Sequence, residues 1–124
     1  FSVEMDGKTE MGRVLGIDAP ETGEKYTEKE CFADESKTKA IELLAGKRVR
    51  LETDLTQSEQ AVYGRYLSYV WLEDGTFFNQ EMLEGGFARE YTYGGLLYQH
   101  QTDFLRAQEQ AQKLGRGLWG ICDD

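Results

Sequence analysis

Phe1, Val3 and Met5 are separated by polar residues, and an Asp6-Gly7 pair divides this run from a second one through Val14, Leu15 and Ile17. Alternation of this kind lines apolar side chains along one strand face, and Asp-Gly is a strong hairpin signal. The chain therefore opens as a β-hairpin with one face to bury, and the elements that follow have to cover it. From about Glu30 to Ala45 the period changes. Phe32, Ala33, Ala40, Ile41, Leu43 and Leu44 suit a helix, with Gly46 as its C-terminal stop. Val49 and Leu51 alternate with charged residues in a third strand, the polar stretch Thr53 to Gln60 reads as a loop, and Tyr66 to Leu72 is a fourth strand ending at Asp74-Gly75. A short helix over Asn79 to Glu84 stops at Gly85 and Gly86, and Phe87 to Tyr91 supplies one more strand. Leu97, Gln101, Phe104, Leu105, Gln108 and Ala111 recur at helical spacing in a last helix that ends before Gly115 and Gly117, after which Trp119 packs back on the body. The reading is an α+β chain, mainly β and mostly antiparallel, with three helices.

At 124 residues there is room for one core, so residues 1–124 are expected to form a single domain. No apolar run approaches the ~20 residues that a transmembrane helix needs, and no membrane association is expected. Acidic residues outnumber basic ones 23 to 14, for a formal charge of -9. The excess does not sit in a tail: residues 1–62 hold 14 acidic and 9 basic side chains, and residues 63–124 hold 9 and 5. Indiscriminate attraction to polyanions is excluded, and any phosphate site has to be a local exception.

One such exception lies at the end of the second strand, where Arg13, Asp18 and Glu21 surround a loop containing Pro20, the only proline. One carboxylate can hold a hard cation, another can orient water, and a guanidinium can stabilise an anionic phosphoryl transition state. On spacing alone the commoner meaning of three such charges is a solvated turn. Tyr63-Gly64-Arg65 offers a close backbone approach and a bidentate phosphate fork, and Tyr91 and Tyr93 can project from one side of an extended segment as a stacking platform. Ordinary tyrosine packing explains the latter equally well. His100, the single histidine, has no histidine or cysteine near it in sequence and reads as a surface residue. Serine-hydrolase, nucleotide-triphosphatase and zinc-protease signatures are absent. Cys31 and Cys122 lack metal-ligand spacing, which leaves either a long-range disulfide or two unrelated thiols.

Taken together, R-V-L-G-I-D-A-P-E-T at Arg13 to Thr22, Y-G-R at Tyr63 to Arg65, F-N-Q-E-M-L-E-G-G-F-A from Phe78, Y-T-Y at Tyr91 to Tyr93 and G-R-G-L-W at Gly115 to Trp119 resemble the staphylococcal nuclease family in order and spacing. The resemblance implies an OB-fold, a five-stranded Greek-key barrel with three helices. It also implies a calcium-dependent endonuclease that hydrolyses phosphodiester bonds of DNA and RNA. By motif, Asp18 and the Ala19 carbonyl are the metal ligands for Ca2+, Arg13, Glu21 and Arg65 are catalytic, and Tyr63, Tyr91 and Tyr93 bind the substrate. E-C-F at Glu30 to Phe32 and L-W-x-x-C at the end resemble a secreted bacterial branch in which the two cysteines pair, which implies a Cys31–Cys122 disulfide and an extracytoplasmic location.

The chain departs from the pattern in places. The family's first strand, with its D-G-D-T signature and a second metal-ligating aspartate, falls before Phe1, so the expectation is a barrel lacking that strand, with an unpaired edge beside the gap. Ala61 stands where an aspartate is common, Ala19 replaces a threonine, and the best-known members are basic. These departures keep a second reading in play, a non-catalytic OB-fold module that binds nucleic acid or protein. No obligate protein partner is expected under the first.

Overall fold

The computed structural model describes residues 2–5, 7–23, 28–54, 60–61, 65–92 and 97–122, with the side chains of residues 5, 10, 11, 60, 61 and 65–67 left outside that description. The expected hairpin forms from β1 (Ser2–Met5) and β2 (Lys8–Val14), antiparallel in the register Ser2↔Met11 to Met5↔Lys8. Gly7 takes a φ of 78°, the left-handed geometry that a tight turn asks of glycine. After β2 the chain reverses at Leu15-Gly16 into the two-residue strand β3 (Ile17–Asp18). Gly16 is required twice over: its φ is 82°, and a Cβ there would stand 2.7 Å from the Phe104 ring.

The sheet is organised around β6 (Arg65–Leu72), in the order β1-β2-β6-β4, with β4 (Val49–Glu52) and the short β5 (Gln60–Ala61) both antiparallel to β6. The β2 to β6 pairing is parallel, Gly12↔Tyr66 to Val14↔Ser68, which qualifies the expected antiparallel pattern. A parallel neighbour needs a long crossover, and the segment carrying the first helix and β4 supplies it. A separate two-stranded ladder joins β3 to β7 (Arg89–Glu90), pairing Ile17 with Glu90 and Asp18 with Arg89. Strands β1 and β4 end the larger sheet, which among the described residues does not close. An apolar groove lined by Val3, Ile41, Leu44 and Val49 lies between those two ends.

Helix α1 (Ala33–Leu44) begins three residues later than the periodicity predicts, because Phe32 sits in the left-handed region at φ 70° and cannot start a helix. Its ring rests on Phe87 at 5.6 Å, and the Ser36 hydroxyl donates to the Phe87 carbonyl. Helix α2 (Phe78–Glu84) and helix α3 (Gln101–Leu114) match expectation apart from the start of α3, which lies four residues beyond Leu97. A single turn, α4 (Leu118–Ile121), adds a fourth helical segment. No described helix is long and apolar enough to cross a membrane.

The core gathers Leu15, Tyr69, Val70, Phe78, Met82, Leu83 and Phe104 between β6, α2 and α3. At its centre Asn79 is fully buried: its Oδ1 accepts from the Val70 N–H at 2.9 Å and its Nδ2 donates to the Leu15 carbonyl at 2.7 Å. This one side chain satisfies a backbone group in β6 and another in the β2–β3 turn. Asn79→Ala is expected to cost about 2–4 kcal/mol, because two buried main-chain groups lose their partner; urea unfolding measures it, with an unchanged midpoint as the contrary result.

A second polar tie was not visible in sequence. Buried Asp54, in the segment read as a loop, accepts a short hydrogen bond from the Tyr69 hydroxyl and another from the Gln99 N–H at 2.6 Å. Burial and the Asp54 hydrogen bond hold the Tyr69 phenol above its ordinary range. His100 follows Gln99, and its ring packs edge-on against Tyr69 at 4.6 Å and Phe77 at 5.0 Å. It is a half-buried member of an aromatic cluster rather than the surface residue expected.

Candidate active site

Strand β2 carries Arg13, exposed and opposite Leu67 of β6, and the turn at Gly16 then swings β3 so that Asp18 faces Arg89 across the small ladder. The ladder is prolonged by the Tyr91 N–H, which donates to the Gly16 carbonyl at 2.8 Å and fixes exposed Tyr91 beside the same turn. Short strand pairing, rather than a helix or a deep cleft, therefore sets the positions of Asp18 and Tyr91. Ala19 and Glu21 continue from β3 along an exposed loop.

The charges around Asp18 are mixed. Desolvation and the negative charge of Glu30 push its carboxyl above the ordinary carboxylate range, while Arg13 and Arg89 pull it down. Three charged side chains thus bear on Asp18 at this rim, and two of them, Glu30 and Arg89, are not among the site residues that the sequence motifs mark. The Arg89 guanidinium lies over the Trp119 ring, 5.2 Å from its centroid, so the G-R-G-L-W segment supports a cation beside Asp18.

Glu30 also reaches Glu21. The Glu21 N–H donates to Glu30 Oε1 at 2.6 Å, and the Glu30 N–H donates to the Glu21 carbonyl at 2.9 Å. One residue later, Cys31 forms a disulfide with Cys122, with a Cα–Cα distance of 5.9 Å, tying the end of α4 to the approach to α1.

Arg13 bears electrostatically on Asp18, Ala19 and Glu21 follow Asp18 on its loop, and the Tyr91 main chain is bonded to the turn at Gly16. Arg65 opens β6, its backbone paired with Ala61, and its side chain lies outside the described residues, as do Tyr63 and Tyr93. For a divalent cation, the Asp18 carboxylate and the Ala19 carbonyl are the hard oxygen donors the chemistry calls for. Among the described residues no group of three or more carboxylate, imidazole or thiol side chains converges on one point. The donors fit such an ion in kind.

Comparison with known proteins gives the family. The family model described as staphylococcal nuclease homologue matches residues 12–120. A thermonuclease of Staphylococcus hyicus is 36% identical over 117 residues, covering 94% of this chain and 67% of that protein. A thermonuclease of Staphylococcus intermedius is 32% identical over 117 residues with the same coverage. An uncharacterized endonuclease of Haemophilus influenzae is 34% identical over 107 residues, 86% of this chain and 52% of that protein. The matched span takes in the β2–β3 turn, the Asp18 loop, the Asn79 tie and the Trp119 prop alike, and the chain belongs to the staphylococcal nuclease family.

Proposed function

We propose that this protein is a calcium-dependent endonuclease that hydrolyses phosphodiester bonds of DNA and RNA by attack of water. The observation that carries the reading is the rim itself, where β3–β7 pairing sets Asp18 opposite Arg89 and within the field of Arg13 while Glu21 stands on the adjoining loop. In a molecule of charge -9, Arg13 and Arg89 together with a cation on Asp18 supply the local positive charge a polyanionic substrate requires.

In this reading Asp18 and the Ala19 carbonyl hold Ca2+, which when bound neutralises charge on the scissile phosphate. Glu21 orients a water and takes its proton as the new phosphorus–oxygen bond forms; the opposite ester bond breaks with its electron pair on the departing oxygen, which takes up a proton from solvent. Arg13 and Arg65 hold the phosphate oxygens and offset their growing charge. Tyr63 donates a hydrogen bond to a phosphate, and Tyr91 and Tyr93 flank the nucleotide. Residues 1–124 form one OB-fold domain of the five-stranded Greek-key type. The Cys31–Cys122 bridge supports an extracytoplasmic location, since such bonds persist in oxidising compartments. No obligate protein partner is needed for this chemistry.

The test is cleavage of single-stranded DNA and of RNA with calcium, then with a chelator. Cleavage that stops on chelation and returns with calcium is the expected result. Binding without cleavage under every condition overturns the enzyme reading in favour of a non-catalytic module.

A further inference from the structure

We propose that Glu30 is a positioning residue for Glu21, acting through a two-bond backbone clamp whose far side is fixed by the Cys31–Cys122 disulfide. The inference rests on the assignment of Glu21 as the water-activating group.

Glu21 is exposed and lies on a loop, where a carboxylate ordinarily samples many positions. Yet both of its main-chain polar groups are engaged by one residue nine positions later: its N–H by the Glu30 carboxylate at 2.6 Å and its carbonyl by the Glu30 N–H at 2.9 Å. Because one bond runs to a side chain and the other from a backbone, the two together fix the peptide units on either side of the Glu21 Cα. The acceptor is a carboxylate, which shortens and strengthens the bond to an N–H.

Glu30 is itself anchored. Its carbonyl accepts from the N–H of buried Ala33 at 3.2 Å, the next residue is bonded through sulfur to the end of α4, and the Phe32 ring rests on Phe87. The clamp therefore refers the Glu21 backbone to the packed part of the molecule instead of to the loop. Such a device matters because a small displacement of a reacting group is enough to slow an otherwise intact enzyme.

Three substitutions separate position from charge. Glu30→Gln keeps an oxygen acceptor at the same reach and removes the charge; Glu30→Asp keeps the charge and withdraws the oxygens by one methylene; Glu30→Ala removes both. The expected result, for cleavage of single-stranded DNA at saturating calcium, is a kcat lowered about tenfold in Glu30→Asp and Glu30→Ala with KM nearly unchanged, and a Glu30→Gln enzyme within about threefold of the parent. Hydrogen exchange at the Glu21 amide should quicken in the Asp and Ala variants and not in the Gln variant, while exchange within α1 stays put. The reverse order, with Gln defective and Asp normal, overturns the proposal, as does an unchanged kcat in Glu30→Ala. If Glu21→Gln is itself fully active, the water-activating assignment has failed and the catalytic role of Glu30 falls with it; amide exchange at Glu21 then distinguishes a clamp with no catalytic part from no clamp at all.

Discussion

Replacement of Glu21 by Gln is expected to lower kcat for calcium-dependent cleavage by about 10²- to 10⁴-fold, the range over which a positioned general base contributes to proton transfer. The amide keeps the shape of the side chain and loses the charge and the ability to take a proton. Folding should be unaffected, since the Glu21 side chain is exposed and the hydrogen bonds that tie this residue to Glu30 are made by its own main chain. Single-turnover cleavage of single-stranded DNA is the measurement, with thermal unfolding alongside it. The loss should fall on kcat and leave KM nearly unchanged, because Arg13, Arg65 and the tyrosines, and not Glu21, are assigned to holding the substrate. A rate within about threefold of the parent removes Glu21 from the chemistry.

The second large effect is on stability. The Cys31–Cys122 bridge spans a sequence separation of 91, and in the chain-entropy model closing a loop of that size restricts the unfolded chain by about 4–5 kcal/mol. Domains of this size are held by only about 5–15 kcal/mol in all, so the bond supplies a large share of the margin. Replacing both cysteines with serine is expected to lower the melting temperature by about 10–20 °C. The substituted protein should still fold, because Cys31 is exposed, Cys122 is only half-buried, and neither belongs to the core around Tyr69 and Phe104. Denaturant unfolding of the two proteins side by side checks this, and coincident midpoints would assign the bridge no part in stability.

Much of the fold is legible in local pattern. Asp6-Gly7 marks the hairpin, the β-branched and aromatic run gives β6, and Gly85 and Gly115 end α2 and α3 where helix-stop chemistry places them. What local pattern misses is decided by contacts distant in sequence. Phe32 looks like helix but is turned to positive φ between the disulfide and Phe87. Leu97 has helical spacing, but α3 starts only at Gln101, and in the segment before it the Gln99 N–H donates to Asp54 and the Tyr98 hydroxyl to Glu90, partners remote from the local pattern. The parallel β2–β6 pairing follows from a crossover that no local signal reports. The candidate site divides the same way. The D-A-P-E-T loop announces itself, whereas Glu30 and Arg89 become neighbours of Asp18 only through loop closure and the β3–β7 register. Nothing near His100 in sequence marks it as half-buried, because its partners are rings contributed by β6 and by the residue preceding α2.

The stacking of Arg89 on Trp119 gives the molecule an optical handle on its own chemistry. An indole's emission shifts with the charge held against its face, and this guanidinium stands opposite Asp18, so events at that carboxylate have a route to the light Trp119 emits. The other indole, Trp71, is stacked on Phe77 at 4.0 Å and lies under Arg50. With Trp71 replaced by phenylalanine, one indole remains, and it is seated against the guanidinium that faces Asp18.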